Sequence, residues 1–202
     1  MKNTTGLPCG SFCFPAKKRF NRKQTTAILG QPKYLPHYTV ADYQQWSGDW
    51  ELWEGVAVAM TPSPFGKHQK AITRLAQMLL NELDRIQCED CEVAVELDWI
   101  IDTDLVVRPD ISLCCGSNID KYIESPPKFI AEVLSQSTQI KDRTAKFDLY
   151  AKEGVKYYAI VDLDGDRQCY ELQSSRYEKR PNGAVELQLS HDCAISIDLQ
   201  KL

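Results

Sequence analysis

The sequence predicts an α/β domain in which a mixed sheet is flanked by helices and extended by antiparallel hairpins. Apolar residues recur at helical spacing over residues 66–87, and a second helical segment covers 141–153. Short apolar runs at 106–115, 128–134 and 157–163 are typical of buried strands. Because helices and strands follow one another in this order and antiparallel segments come after them, we expect one sheet with helices packed against it.

The folded part is predicted to begin near residue 37 with a short helix and two short strands. Thr39 is suited to cap a helix that runs through Tyr43 and Trp46, because a threonine hydroxyl accepts hydrogen bonds from the first helical turn. The segment 50–60, WELWEGVAVAM, has two short apolar runs around Gly55. We expect two strands there, or one strand with a bend.

The middle of the chain is predicted to form three strands. Residues 91–101 alternate apolar and polar side chains, which indicates a half-buried strand. Its inward side chains are Val93, Val95, Leu97 and Trp99. The next strand, 106–115, should splay or bulge at Pro109, because proline cannot donate a ladder hydrogen bond. Residues 128–134 form the third strand.

The last third of the chain is predicted to add antiparallel strands. The second helix should end at Gly154, which suits a left-handed C-cap position. After the strand that follows, Asp-Gly-Asp at 164–166 predicts a turn into a hairpin strand over 168–172. Two further apolar segments, 185–189 and 195–199, are expected to close the sheet.

Charge is distributed unevenly along the 202 residues, whose net charge is −4. Residues 1–36 hold seven of the 24 basic residues and no acidic residue, which leaves 17 basic against 28 acidic residues, a net charge of −11, in 37–202. We therefore predict a basic, poorly ordered tail over 1–36 and one domain over 37–202. Such a tail can bind a phosphate backbone or have no partner, while the acidic body argues against a broad nucleic-acid-binding face.

The hydrophobic segments are too short for a membrane protein. No apolar run approaches the roughly 20 residues that span a bilayer, and the first residues lack the continuous apolar segment of a signal peptide. We therefore expect a cytoplasmic protein without a membrane partner, whose eight cysteines are mostly reduced. Cys9 with Cys13 and Cys88 with Cys91 have spacings that occur in metal sites, but neither pair has a second pair or a histidine at zinc-finger spacing. Free thiols are the simpler interpretation, and structural zinc is the alternative.

Two acidic residues interrupt apolar strands that are one strand apart. Asp110 lies in VVRPDISL, and Glu132 lies in KFIAEVL. An ionised, unpaired carboxylate in a buried strand is unstable, so each needs a cation, a proton or a position at the rim. If the strands are neighbours, both carboxylates can bind one Mg²⁺, which takes one or two carboxylates and keeps waters for a phosphate group. The alternative is two separate salt bridges, for example with Arg108 or Lys128.

A lysine near these carboxylates would complete a hydrolytic site, by orienting a nucleophile or by stabilising charge on phosphorus. The residue two positions after Glu132 is Leu134, so the strand offers no cation there. The next helix offers Lys146 at the border of its apolar face, from where a long side chain can reach the end of the Glu132 strand. The alternative is a helix-surface ion pair between Lys146 and Asp142.

Several of these segments together resemble a nuclease family. Pro109–Asp110 and Glu132–Val133–Leu134, in an order of helix, three strands, helix and strand, resemble the PD-(D/E)XK restriction-endonuclease-like superfamily. The chain is more closely similar to the bacterial Uma-two-type endonuclease family. The similarity is carried by WELWEG (50–55), PSPFGKHQ (62–69), VVRPDISL (106–113), FIAEVLSQST (129–138), KDRTAKFDLYAKEGV (141–155) and KYYAIVD (156–162). It covers about residues 38–172 and not the basic tail.

The resemblance implies a restriction-endonuclease-like fold and Mg²⁺-dependent hydrolysis of DNA, with Mn²⁺ as a substitute metal. It implies that Asp110, Glu132 and the backbone carbonyl of Val133 hold the metal. It also implies that Lys146 takes the part of the motif lysine, whose position is occupied here by Leu134.

The resemblance further implies that Glu51 joins the acidic cluster, with Glu54 as the competing candidate, and that His68 lines the site. DNA and a second copy of the chain, in a homodimer, are the partners expected by analogy. Two alternatives stay open. One is a nucleic-acid-binding or structural module of the same fold without the reaction, and the other is a hydrolase of a different class of phosphodiester.

Overall fold

The computed structural model of the chain describes residues 36–60, 66–116, 119–134 and 143–202. The predicted tail therefore lies outside the described residues apart from Pro36, as does the beginning of the helix predicted over 141–153.

The described elements follow the predicted order of helices and strands. The helices are α1 (Val40–Tyr43), α2 (Gly66–Ile86), α3 (Ala145–Lys152) and a 3₁₀-helix (Leu199–Lys201). The strands are β1 (Trp50–Trp53), β2 (Val56–Ala59), β3 (Cys91–Val95), β4 (Trp99–Asp102), β5 (Leu105–Val107), β6 (Ile111–Cys115), β7 (Phe129–Val133), β8 (Tyr157–Val161), β9 (Arg167–Gln173), β10 (Arg176–Lys179), β11 (Ala184–Gln188) and β12 (Ala194–Asp198). Among the described residues, no helix is both long and apolar enough to cross a bilayer.

Local signals at the start of the domain act as predicted. Thr39 caps α1 in a capping box, because its hydroxyl accepts from the Asp42 backbone while the Asp42 carboxylate accepts from the Thr39 backbone N–H. Strands β1 and β2 pair in antiparallel register around Gly55, which has a φ of +79°. A Cβ at this position would collide with the ring of His37, so the turn needs glycine for its space as well as for its backbone angle.

The central sheet has six strands in the order β10-β9-β8-β7-β6-β3. Strands β7 and β8 are parallel and the other pairs are antiparallel, so the sheet is mixed as predicted. A four-stranded sheet has the order β2-β1-β5-β4. The prediction that 185–189 and 195–199 close the main sheet is wrong, because β11 and β12 pair with each other in a separate hairpin. Their apolar side chains instead join the core layer that contains α2.

The segment 91–101 is not one strand. The chain breaks at Glu96, which has a φ of +50° and donates its backbone N–H to the Asp110 carbonyl. Strand β3 therefore stays in the six-stranded sheet, while β4 belongs to the four-stranded sheet. Val95, predicted to point inward, is 44% exposed. The expected break at Pro109 is confirmed, since β5 and β6 lie on either side of it in different sheets.

Strand β7 is buried on both faces, as predicted. Its side chains Phe129, Ala131 and Val133 pack with α2 and the β11–β12 hairpin. Ile130 packs with α3 and the four-stranded sheet. Because side chains alternate along a strand, Glu132 lies on the α3 side.

The cysteines differ from the expectation of reduced thiols. Four of the described cysteines form two disulfide bonds, Cys88–Cys193 and Cys91–Cys115. Cys91 and Cys115 face each other across the β3–β6 pair. The paired cysteines are 24 and 105 residues apart in the sequence, so local spacing does not predict either disulfide. Among the described cysteines, Cys114 and Cys169 are free and buried, and the pair Cys9 and Cys13 lies outside the described residues.

Candidate active site

The structure brings the five predicted acidic, histidine and lysine side chains together at one end of the central sheet. They come from β1, α2, the residue before β6, β7 and α3, and are Glu51, His68, Asp110, Glu132 and Lys146. The β6–β7 register pairs Ile111 with Ala131, so the next positions, Asp110 and Glu132, lie beside each other at the strand ends. The neighbouring strands expected for the two acidic residues are observed, while their convergence on one metal ion stays a prediction.

Glu132 is the carboxylate inside the apolar strand, and it is paired with a cationic side chain. Its side chain is nearly inaccessible, with 2% of the residue surface exposed. Its Oε1 accepts one hydrogen bond from Lys146 Nζ at 2.8 Å and another from the Tyr150 hydroxyl at 2.7 Å. A buried charge is tolerated when it is paired and hydrogen-bonded, and these two donors meet that requirement.

Glu51 is a second buried carboxylate beside the same lysine. Only 1% of its surface is exposed, and its Oε1 lies 3.4 Å from Lys146 Nζ. The same oxygen accepts the Arg108 backbone N–H at 3.1 Å, while Oε2 accepts the Trp53 indole N–H at 2.9 Å. Glu54, the competing candidate, is exposed in the turn between β1 and β2. Glu51 is thus the acidic residue of this segment that faces the cluster.

Lys146 is buried, in contrast to the helix-surface position that its pairing with Asp142 would require. Only 4% of its surface is exposed, and it lies between the carboxylates of Glu132 and Glu51. Asp142 is outside the described residues. The face of α3 that meets the sheet therefore includes Lys146, because the two carboxylates beneath it offset the cost of removing an ammonium group from water.

Tyr150 is a member of the cluster that the sequence analysis missed. It lies one helical turn after Lys146, and both side chains donate to the same oxygen of Glu132. Burial and the neighbouring Glu132 hold the pKa of Tyr150 well above its usual value, so its hydroxyl stays protonated and keeps donating. The spacing of four residues from Lys146 was the available signal, but an aromatic residue on an apolar helix face is usually a packing residue.

Asp110 and His68 form the more accessible part of the site. Asp110 Oδ2 accepts the Val133 backbone N–H at 2.7 Å, and His68 Nε2 lies 2.9 Å from the Val133 carbonyl oxygen and 3.4 Å from Asp110 Oδ2. Since a carbonyl only accepts, the proton of this contact is on Nε2. The hydrogen bond that His68 donates to the Asp110 carboxylate raises the pKa of His68 above its usual value. The side chains of His68 and Asp110 are 10% and 17% exposed, so this part of the site borders solvent.

The oxygen atoms at this border are of the kind that a hard divalent cation binds. Asp110 Oδ2 and the Val133 carbonyl oxygen both approach one point, which the ring nitrogen of His68 now contacts. Carboxylate and carbonyl oxygens suit Mg²⁺, so the donor set fits the metal that the resemblance implies. Within the described ranges, however, the group of three side-chain donors that lie within 4.8 Å of one another is formed by Cys88, Cys91 and Cys193. The acidic side chains that the structure describes do not form such a group.

Arg108, an alternative ion-pair partner for the acidic residues, has its guanidinium group paired elsewhere. The Arg108 guanidinium contacts Asp98 at 2.6 Å and Asp49 at 2.7 Å. Leu134, at the position of the motif lysine, is buried in the apolar cluster that also contains Leu149. The motif position is therefore a packing position in this chain.

Comparisons with solved structures and curated proteins identify relatives of this chain. A structure from Anabaena variabilis ATCC 29413, described as "a putative nuclease belonging to DUF820", aligns with a TM-score of 0.61 at 20% identity, covering 73% of this chain and 88% of that chain. The predicted nuclease-like fold is thereby confirmed. "Uncharacterized protein slr1290" of Synechocystis sp. is 30% identical in an alignment of 123 residues, and the match covers 58% of this chain and 64% of that protein, less than two thirds of its length.

A family model also covers most of the chain. The family is Uma2, described as "Putative restriction endonuclease", and its model matches residues 40–200. This range includes every element that contributes a side chain to the cluster. The chain therefore belongs to the Uma2 family, as its sequence motifs predicted.

Proposed function

We propose that this protein is a nuclease that hydrolyses DNA phosphodiester bonds with Mg²⁺, for which Mn²⁺ can substitute. Membership of a restriction-endonuclease family and the nuclease-like fold support a nucleic-acid substrate. The observation that carries the proposal is the 2.8 Å contact between Lys146 Nζ and Glu132 Oε1. It supplies a lysine to the carboxylate cluster although Leu134 occupies the motif position.

In the proposed site, Asp110, Glu132 and the Val133 carbonyl hold the metal. Restriction-endonuclease-like families generally use divalent metal ions. Such an ion, when bound, would polarise a phosphoryl oxygen and lower the pKa of an attacking water. His68 keeps the Val133 carbonyl and Asp110 oriented toward each other through its two contacts.

Lys146 orients the nucleophile and stabilises the negative charge that develops on phosphorus. Glu51 and Glu132 together hold its ammonium group in position, and Tyr150 fixes the Glu132 carboxylate from the other side. Because the Asp110 side chain is 17% exposed while Lys146 is buried, the substrate phosphate approaches from the Asp110 side.

The proposal includes a cytoplasmic location, where the DNA substrate lies, and a homodimer that cuts both strands. The dimer is an analogy with other enzymes of this fold. Sedimentation equilibrium measures it directly, and a monomer at micromolar concentration would refute it.

The main alternative is a nucleic-acid-binding module without the reaction. Two observations favour it: two carboxylates already hold Lys146, and residues 37–202 have a net charge of −11. A module of this kind would bind duplex DNA in a salt-dependent manner and leave it intact with any metal.

The test is cleavage of plasmid DNA and of a single-stranded RNA by the full-length chain in Mg²⁺ and in Mn²⁺. We expect DNA cleavage that Asp110→Asn and Glu132→Gln each reduce at least 100-fold, together with loss of Mn²⁺ binding in calorimetry. Glu186→Gln, an exposed acidic residue on β11, is the matched control and should act like the wild type. Undiminished cleavage in both site variants would contradict the assignment of the site. A wild type that binds DNA without cutting it in either metal would favour the binding module.

A further inference from the structure

A second cluster of chemically reactive side chains lies away from the proposed active site. Cys88 follows α2, Cys91 begins β3, Cys115 ends β6 and Cys193 precedes β12. The two disulfides join them in pairs, and Cys91 Sγ also lies 3.4 Å from Cys88 Sγ and 3.9 Å from Cys193 Sγ. The sulfurs of Cys88, Cys91 and Cys193 thus lie within 4.8 Å of one another, and the disulfide with Cys91 attaches Cys115 to this group.

We propose that this cluster is a structural zinc site when its cysteines are reduced. A tetrahedral Zn²⁺ with four thiolates has Zn–S bonds of about 2.3 Å, which places its sulfurs about 3.8 Å apart. The two non-bonded contacts of Cys91 are already close to that spacing. Cys88 and Cys91 also have the C-x-x-C spacing of zinc sites, and the second pair that the sequence lacked nearby is supplied by Cys115 and Cys193 through the fold.

Cys114, the residue next to Cys115, is not part of the cluster. Cys114 packs on the α3 side of the central sheet, while Cys115 lies on the α2 side, because adjacent residues of a strand point to opposite faces. Cys91 and Cys193 are buried, and Cys88 and Cys115 are half-buried. The inner sulfurs are shielded from water and the outer ones give a metal ion access to the site.

The cluster is separated from the acidic residues by the length of a strand. Asp110 precedes the first residue of β6 and Cys115 is its last residue, a span of about 17 Å for five residues. Zinc at the cysteine cluster would therefore not be the catalytic metal. It would connect the end of α2, the edge strand β3 and β6 to the β11–β12 hairpin. The central sheet does not hold this hairpin through strand pairing.

A dithiol reductant converts the disulfide form of the cluster into the thiol form that binds zinc. Two equivalents of dithiol open the two disulfides by transferring four electrons and four protons, and each equivalent leaves as its own cyclic disulfide. The four thiols then release four protons as they bind Zn²⁺. Reducing cytoplasm, the location proposed above, would favour the dithiol form.

The test uses the full-length chain, reduced with dithiothreitol and desalted without oxygen. Added Co²⁺ should give the near-ultraviolet thiolate-to-cobalt band and the visible bands of a tetrahedral site, at one ion per chain, and Zn²⁺ should displace it. Elemental analysis of the protein purified under reducing conditions should give about one zinc. Iron in place of zinc, or no thiolate band, would overturn the proposal.

The matched pair of variants is Cys115→Ser and Cys114→Ser, which change adjacent residues on opposite faces of β6. We expect Cys115→Ser to weaken Zn²⁺ binding at least tenfold and Cys114→Ser to leave it unchanged. If Cys115→Ser does not fold, the half-buried Cys88 gives the equivalent variant, Cys88→Ser.

Two further variants locate the metal. The double variant Cys9→Ser/Cys13→Ser and the variant Asp110→Asn should both retain the cobalt–thiolate band. Loss of the band in the double variant, or wild-type affinity in Cys115→Ser, would place the metal elsewhere and overturn the four-cysteine site.

Discussion

The proposed active site has an inner and an outer half, and the charges of the two halves are stabilised in different ways. The inner half, Glu51, Glu132 and Lys146, is almost completely buried. The outer half, Asp110 and His68, borders solvent with side chains 17% and 10% exposed. Charges in the inner half are balanced mainly by protein groups, and the proposed metal would reach this half only at Glu132, whereas water, a metal or a substrate can balance the charges in the outer half.

The inner half holds two carboxylates and one ammonium group. Neutral hydrogen-bond donors stabilise the negative charge that the ammonium group does not neutralise. The Tyr150 hydroxyl, the Trp53 indole and the Arg108 backbone N–H all point at carboxylate oxygens. Substitutions there should affect stability as well as activity, while substitutions in the outer half should affect metal binding and activity with little change in stability. This difference can be measured.

The largest expected effect is that of Lys146→Ala. It would leave two buried carboxylates without their cation, and the free energy of unfolding should fall by about 3–5 kcal/mol. Urea unfolding followed by circular dichroism measures this loss. Lys152→Ala on the same helix is the control, and its exposed ion pair with Glu153 should cost less than about 1 kcal/mol. Equal losses for the two variants would contradict the burial of Lys146.

An intermediate effect is expected for Tyr150→Phe. The variant removes a hydrogen bond to a charged oxygen, and the expected loss is about 1.5–3 kcal/mol in the same urea experiment. Tyr177→Phe is the comparison, because the Tyr177 hydroxyl donates to the neutral Val155 carbonyl and should cost about 0.5–1.5 kcal/mol. If Tyr150→Phe costs no more than Tyr177→Phe, Glu132 does not depend on the tyrosine for its charge balance.

The smallest expected effect on stability is that of Asp110→Asn. The amide keeps an oxygen that can accept the Val133 backbone N–H, and the side chain is partly solvated, so the change in unfolding free energy should stay within about 1 kcal/mol. Mn²⁺ affinity, by contrast, should be lost in calorimetry. A loss of stability as large as that of Lys146→Ala would show that the outer half is as structural as the inner half.

Short-range patterns were sufficient for the features that depend on neighbouring residues. The Thr39 capping box, the turn at Gly55 and the break at Pro109 follow from local backbone chemistry, and all are confirmed. The placement of Asp110 beside Glu132 could be predicted because each interrupts an apolar strand and the two strands are close in sequence.

The sequence was insufficient where the outcome depends on distant contacts. The break at Glu96 depends on a hydrogen bond to the Asp110 carbonyl, and the position of the β11–β12 hairpin depends on packing with α2. The burial of Lys146 depends on Glu51, which is almost a hundred residues earlier. Composition also gave no sign of the convergence of Cys88 with Cys193, because the chain between them must fold before the two meet.

The contacts of α3 with Glu132 also restrict how this helix can change in evolution or design. Lys146 and Tyr150 reach one oxygen atom from consecutive turns, so the rotational phase of the helix is set by a single acceptor. Each residue advances an α-helix by about 100°. One residue inserted between positions 146 and 150 would turn one of the two donors away from the carboxylate, whereas an insertion before Thr144 would leave their mutual phase unchanged. Length variation in relatives should therefore be found before this helix and not within it.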